Sequence, residues 1–330
     1  MSLRHPTIAG LTIAFCAGAS SMLAAQEAKP EPKGGYTVGF VSAAIGLPFY
    51  QAMKCAADKA AGAHNINLIW QGSQSIAPRD EMQVLEAVAA QKPDGIILVP
   101  WDSTAFVAPT RKLIEGGTPV ITVDGSLVEP ADLQNIRTSN LDAGKQAARD
   151  VAQLIGHKGS VLILTAAPGN AVQNERWTGF KQVLDTHYKD IKLLDVQYVG
   201  SDAGKAAAVT SASLVANADL AAIYTTQDAG AEGAANALRA AGKRGQVRVI
   251  AYDATLRQVE LLKAGEFDAL VAQSPRDIGT QMIESIYKEL KDGKEKAALP
   301  YQVHAKFKFL TRENVNTEDS KGYIYSPDCK

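Results

Sequence analysis

The chain has 330 residues, enough for two domains, and 34 Lys and Arg against 35 Asp and Glu leave a formal net charge of −1. That balance excludes association driven by a large basic field, whether with nucleic acid or with an anionic membrane surface. With 46% hydrophobic and 21% charged residues, the composition is that of a globular protein with a sizeable core.

Residues 1–25 stand apart. Arg4 and His5 precede an apolar run, Ile8 to Ala19, and small residues then lead to Leu23-Ala24-Ala25. That order predicts a secretory signal peptide cleaved after Ala25, and so an exported, periplasmic protein. The apolar run is too short to span a membrane. Residues 26–35 (QEAKPEPKGG) are polar and rich in Pro and Gly, and predict a disordered leader. Cleavage removes Cys16 and leaves Cys55 and Cys329. An even pair in an oxidising compartment predicts a disulfide tying the C-terminal tail to the first helix.

Beyond the leader, apolar runs alternate with Ala-rich segments of helical spacing. In chain order the predicted strands are Thr37–Val41, Ile66–Trp70, Gly95–Val99, Pro119–Val123, Ser160–Thr165, Lys192–Tyr198, Leu220–Tyr224, Val247–Ala251 and Ala269–Ala272. The clearest helices are Phe49–Ala63, Pro78–Gln91, Ala143–Ile155, Asn174–Thr186, Asp202–Ala216, Asp228–Ala241 and Pro275–Leu290. Strands without polar alternation are buried on both faces, so the pattern predicts a doubly wound α/β protein with parallel sheets.

Two stretches raise one question. VITVDGS (Val120–Ser126) and VIAYDAT (Val249–Thr255) are apolar strand ends that finish in a carboxylate, which is costly to bury alone. Ligands of open α/β sheets bind outside the carboxyl ends of strands. If two such sheets face each other, Asp124 and Asp253 look into one cleft and accept hydrogen bonds from a small polyhydroxylated molecule. The echo between the two stretches favours two similar halves. A second echo, GIILVPWDS (Gly95–Ser103) against AAIYTTQDAG (Ala221–Gly230), agrees.

Motifs for catalysis are lacking. No G-x-G-x-x-G follows a strand and no G-x-S-x-G nucleophile elbow occurs, while His64, His157, His187 and His304 are scattered without metal-ligand spacing. The reading is therefore no enzyme, no catalytic residue, no metal and no cofactor. A repressor effector domain would need a DNA-binding head where this chain has an export signal.

From about Tyr36 to Phe309 the chain resembles the ribose-binding-like group of periplasmic sugar-binding proteins of ABC importers. The matching stretches run in order: VSAAIGLPFYQAMKCAADKA, VITVDG, IRTSNLDAGKQAA, NERWTGF, TTQDAGAEGAANAL, VIAYDAT and VAQSPRDIG. The resemblance implies the type I periplasmic binding protein fold, two doubly wound parallel-sheet lobes joined by a three-segment hinge. It implies a first lobe of residues 36–138 plus 274–303 and a second of 139–273 plus 304–309. The tail, 310–330, would be tied to the first lobe. The implied function is capture of a monosaccharide or sugar alcohol in the interlobe cleft by a monomer that docks onto permease transmembrane subunits. Service to a chemoreceptor or sensor kinase would use the same closed lobes.

Carboxylates and guanidinium forks together satisfy vicinal hydroxyls, each of which both donates and accepts. By resemblance, Asp124 comes from the first lobe, Arg176, Gln227 and Asp253 from the second, and Gln273 from a crossover. Phe49 and Tyr50 match the aromatic pair after the first strand, with Trp101 and Trp177 as further candidates for stacking on a sugar ring. Tyr252 reads as core and Asp228 as a helix cap; Asp253 competes with a capping role for the helix near Thr255. Four departures speak against ribose itself. The ribose binders have arginine at Gly125, asparagine at Gln227 and at Leu47, and an aromatic residue where Gly200-Ser201 stands. Another pentose or hexose, a furanose form or a small polyol is expected instead.

Overall fold

The computed structural model describes residues 34–42, 44–168, 170–293 and 300–326, together with Met1. The expected signal peptide with Cys16, most of the expected leader, and Cys329 lie outside the described residues.

The first half opens with β1 (Tyr36–Ser42), α1 (Pro48–Ala63), β2 (Ile66–Gly72), α2 (Pro78–Ala90), β3 (Gly95–Val99), α3 (Val107–Glu115), β4 (Val120–Val123) and β5 (Asn135–Thr138). The second comprises α4 (Asn140–Leu154), β6 (Gly159–Thr165), α5 (Ala171–His187), β7 (Ile191–Leu193), β8 (Gln197–Tyr198), α6 (Ala203–Ala216), β9 (Leu220–Thr225), α7 (Asp228–Ala240), β10 (Arg248–Tyr252), α8 (Leu256–Lys263) and β11 (Ala269–Gln273). The chain then returns through α9 (Pro275–Asp292) and β12 (Gln302–Ala305) and ends in β13 (Phe307–Leu310) and α10 (Glu318–Lys321).

Two sheets result, in the orders β12-β5-β4-β3-β1-β2 and β13-β11-β10-β9-β6-β7, with β8 also on β6. The core of each follows the same winding: second strand, first, third, fourth, fifth. All pairings are parallel except β13 on β11. The strand cores are apolar throughout because helices cover both faces; β3, β4 and β11 are buried at every position. Local chemistry sets the helix starts. Pro48, Pro78 and Pro275 open α1, α2 and α9, where a missing N–H costs nothing. Asn170 and Asp202 accept from backbone N–H groups in the first turns of α5 and α6.

Several sequence expectations need adjustment. Lys192–Tyr198 is two strands, because after the Leu194 N–H donates to the Val161 carbonyl the chain leaves the ladder at Asp195, a poor strand residue. The short α3, α8 and β5 went unpredicted; four to nine residues are too few for periodicity to declare itself. The halves are linked at Ser139, Ser274 and Lys306, since His304 and Ala305 still pair with β5 in the first sheet and the return falls beyond His304. The described part of the tail makes its hydrogen bonds and ion pair within the second half, while the Tyr325 ring meets Phe49 of the first. The Arg312 guanidinium donates to the Phe267 carbonyl, Lys308 pairs with Asp319, and the Tyr325 N–H donates to the Ala254 carbonyl.

Candidate functional site

Both aspartate turns are built alike. Asp124 follows β4 with φ +61°, and Asp253 follows β10 with φ +76°. Each keeps its N–H in the sheet, Asp124 donating to the Ile136 carbonyl at 3.0 Å and Asp253 to that of Val271 at 2.9 Å. The left-handed turn then throws the carboxylate off the strand's carboxyl edge, a conformation Asp tolerates better than most residues. The carboxylates end the strands because they belong to a cavity and not to the core. Asp253 is not the cap of α8. Thr255 is, in a reciprocal capping box with Gln258.

A cavity of about 390 Å³ lies between the halves. Phe49, Tyr50, Trp101 and Asp124 line it from the first half, Arg176, Gln227 and Asp253 from the second, and Gln273 from the crossover. Every ligand-binding residue expected from sequence except Trp177 therefore borders one space, of a size suited to a small molecule. Trp177 instead packs against the core of the second half, with its indole N–H donating to Asn174 Oδ1 at 3.0 Å.

Arg176 is 5% exposed and held from three sides. Its Nε donates to Asn140 Oδ1 and its Nη1 to the Thr226 carbonyl, both at 2.9 Å. The Tyr252 ring lies 3.6 Å beneath the guanidinium carbon, so this buried tyrosine is both core and cation–π platform. Burial pulls the guanidinium's pKa down, but Tyr252, Asp253 and Asp124 outweigh it and leave the group firmly charged. Access to this position depends on glycine. A Cβ on Gly144 of α4 would lie 2.0 Å from the Arg176 carbonyl oxygen, and one on Gly179 of α5 2.1 Å from that of Leu141. The two helices cross at backbone contact, which brings the start of α5 to the cavity.

Asp124 Oδ2 accepts the Tyr50 hydroxyl at 2.9 Å. Burial raises the Asp124 pKa, opposed by the Arg176 charge and by the Tyr50 hydrogen bond. Asp253 Oδ1 accepts from Gln273 Nε2 at 2.8 Å, while Gln273 Oε1 is buried without a protein partner. Gln227 lines the cavity and also bonds within the protein. Its Oε1 accepts the Ala229 N–H and its Nε2 donates to the Gly200 carbonyl, so the side chain caps α7 and leaves Asp228 facing the cavity.

Three features escaped sequence reading. Glu81 is fully buried in the first turn of α2, where its Oε2 accepts the Trp101 N–H at 3.2 Å and burial pushes its pKa up to about 8. Tyr325, in the tail, donates its hydroxyl to Asp253 Oδ1 at 2.9 Å. Gly125 sits close against Pro100, where a Cβ would lie 2.4 Å from the Pro100 carbonyl oxygen, so a side chain there requires that backbone to shift. The arginine of the ribose binders does not fit this turn as it stands, which only the tertiary approach of Pro100 reveals.

The chain matches the periplasmic binding protein domain over residues 38–295. It is 29% identical over 264 residues to the ribose import binding protein RbsB of Haemophilus influenzae, covering 80% of this chain and 89% of that protein. An ABC transporter solute-binding protein of Agrobacterium vitis, solved with α-D-tagatopyranose, superposes with a TM-score of 0.81 at 31% identity, over 88% of this chain and 99% of that one. A periplasmic solute-binding protein of Actinobacillus succinogenes, solved with D-allose, superposes with a TM-score of 0.77 at 26% identity, over 87% of this chain and all of that one.

Proposed function

This chain belongs to the periplasmic binding protein domain family, with its type I fold, and we propose from that premise that it captures a monosaccharide or small polyol between its lobes and delivers it to the permease of an ABC importer. One observation carries the reading. Asp124 from one half and Arg176 and Asp253 from the other border a single cavity, so a molecule touching all three favours the closed lobes over the open ones. Acceptors and a fixed donor fork alternate around the space, the pattern that adjacent hydroxyls require. The lobes we assign are residues 36–138 plus 274–305 and residues 139–273 plus 307–310. The work is capture and release by a monomer in the periplasm, reached through the N-terminal signal, with no covalent step. Cys55, buried on α1, is the partner we infer for Cys329.

Thermal shift and calorimetry with D-tagatose, D-allose and D-ribose test the reading. At a hundredfold excess over the dissociation constant, a bound sugar adds about 2.7 kcal/mol of stability. Tagatose or allose should bind more tightly than ribose, since Gly125 removes the arginine that ribose binders carry. Arg176→Ala should weaken the bound sugar by about 3–5 kcal/mol, because it strips a buried charge from between two carboxylates. Binding that survives Arg176→Ala undiminished would place the sugar elsewhere.

A further inference from the structure

Tyr325 lies beyond the stretch that matches the family domain, which ends at residue 295. It is nevertheless 1% exposed and sits directly behind the cavity wall. Its N–H donates to the Ala254 carbonyl at 2.9 Å, and a bridge to Thr255 fixes the backbone in parallel register beside the second aspartate turn. Its hydroxyl donates to Asp253 Oδ1 at 2.9 Å and accepts the Gln273 N–H at 3.3 Å. Its ring meets Phe49, of the first lobe, edge to face at a centroid distance of 5.5 Å.

These contacts divide the Asp253 carboxylate. Oδ1 is occupied by two protein donors, the Tyr325 hydroxyl and Gln273 Nε2. No protein donor reaches Oδ2 among the described hydrogen bonds, so the carboxylate presents that oxygen to the cavity. A carboxylate on a one-residue left-handed turn has free rotation about its own side chain unless something holds it. The holding groups come from the hinge and from the tail.

We propose that Tyr325 is a positioning residue for sugar capture: the tail returns to fix the Asp253 carboxylate and to join it, through Phe49, to the wall of the opposite lobe. This rests on the reading of the cavity as a sugar site. The residue that orients a ligand contact therefore comes from outside the matched domain, and ligand preference is set partly by the tail.

The test uses the full mature chain and the conservative variant Tyr325→Phe, which keeps the ring and removes the hydroxyl. Calorimetry with D-tagatose, D-allose and D-ribose should show about a tenfold loss for the sugar the unaltered protein binds most tightly, with the sugar-free melting temperature changed by only a few degrees. A ligand-free arm separates positioning from packing: urea denaturation of the unaltered protein, Tyr325→Phe, Asp253→Asn and the double variant. Coupling is expected, the Tyr325→Phe change in midpoint shrinking by at least about half in the Asp253→Asn background. Additive changes, or unaltered sugar affinity in Tyr325→Phe, overturn the proposal. If the unaltered protein takes up none of the three sugars, the functional reading fails on its own account. The denaturation cycle then decides the tail's role, coupling upholding it and additivity overturning it.

Discussion

Glu81 is the residue whose environment departs furthest from its sequence signal. Within PRDEMQVLEA it reads as an exposed first-turn acid; folded, it is buried against the Trp101 backbone with Oε1 unpartnered. Its pKa rises from an ordinary 4.5 to about 8, burial being the main cause. Between those values the folded form holds a proton that the unfolded form has released. Stability from this group is thus complete below about pH 4.5 and falls as pH climbs toward 8, by at most about 1.4 kcal/mol per pH unit. Glu81→Gln should flatten that fall, so thermal melts at pH 5 and pH 8 should differ less in the variant than in the parent. An equal difference would show that Glu81 is ionised and solvated. The aspartates were legible where Glu81 was not, because a carboxylate ending an apolar strand breaks a pattern, whereas an acid near a helix start conforms to one.

At the scale of elements, the helix pair α4 and α5 decides where the guanidinium goes. Glycines at positions 144 and 179 let the two backbones touch, and the Asn140 amide at the start of α4 then meets Arg176 Nε. Gly144→Ala would place a methyl where the Arg176 carbonyl stands, so α5 must move outward by an ångström or more. We expect a loss of about 1–3 kcal/mol of stability together with about tenfold weaker sugar binding, read by denaturation and by calorimetry on one preparation. Unchanged affinity would mean that α5 does not owe its position to this crossing. The long helices and buried strands were legible from composition and spacing. The split of β7 from β8, and the existence of α3, α8 and β5, were not, because such short elements are held by the ladder and the core around them rather than by their own period.

At the scale of the whole molecule, closure has an ion pair of its own. Arg137, at the end of the first sheet, donates from both terminal nitrogens to Glu175 on α5 of the second half, at 2.9 and 3.0 Å. With Glu175 31% exposed the pair is partly screened and contributes about 1 kcal/mol or less. Glu175→Gln should shift the sugar-free protein toward its open form, read as a larger radius of gyration by solution scattering, and weaken binding by a few fold; identical scattering curves would remove the pair from the hinge. By itself the sequence carried an α/β alternation, an echo between two halves and two acids at matching strand ends, since these follow from burial patterns and turn chemistry within a few residues, while Arg176 and the two-lobe arrangement came from the resemblance. Only the tertiary structure decided that Trp177 belongs to the core, that Gln227 spends its amide on capping, and that the tail returns to Asp253. Those are contacts between segments far apart in the chain, Tyr325 and Asp253 being 72 residues apart, and no local periodicity records which distant surfaces will meet.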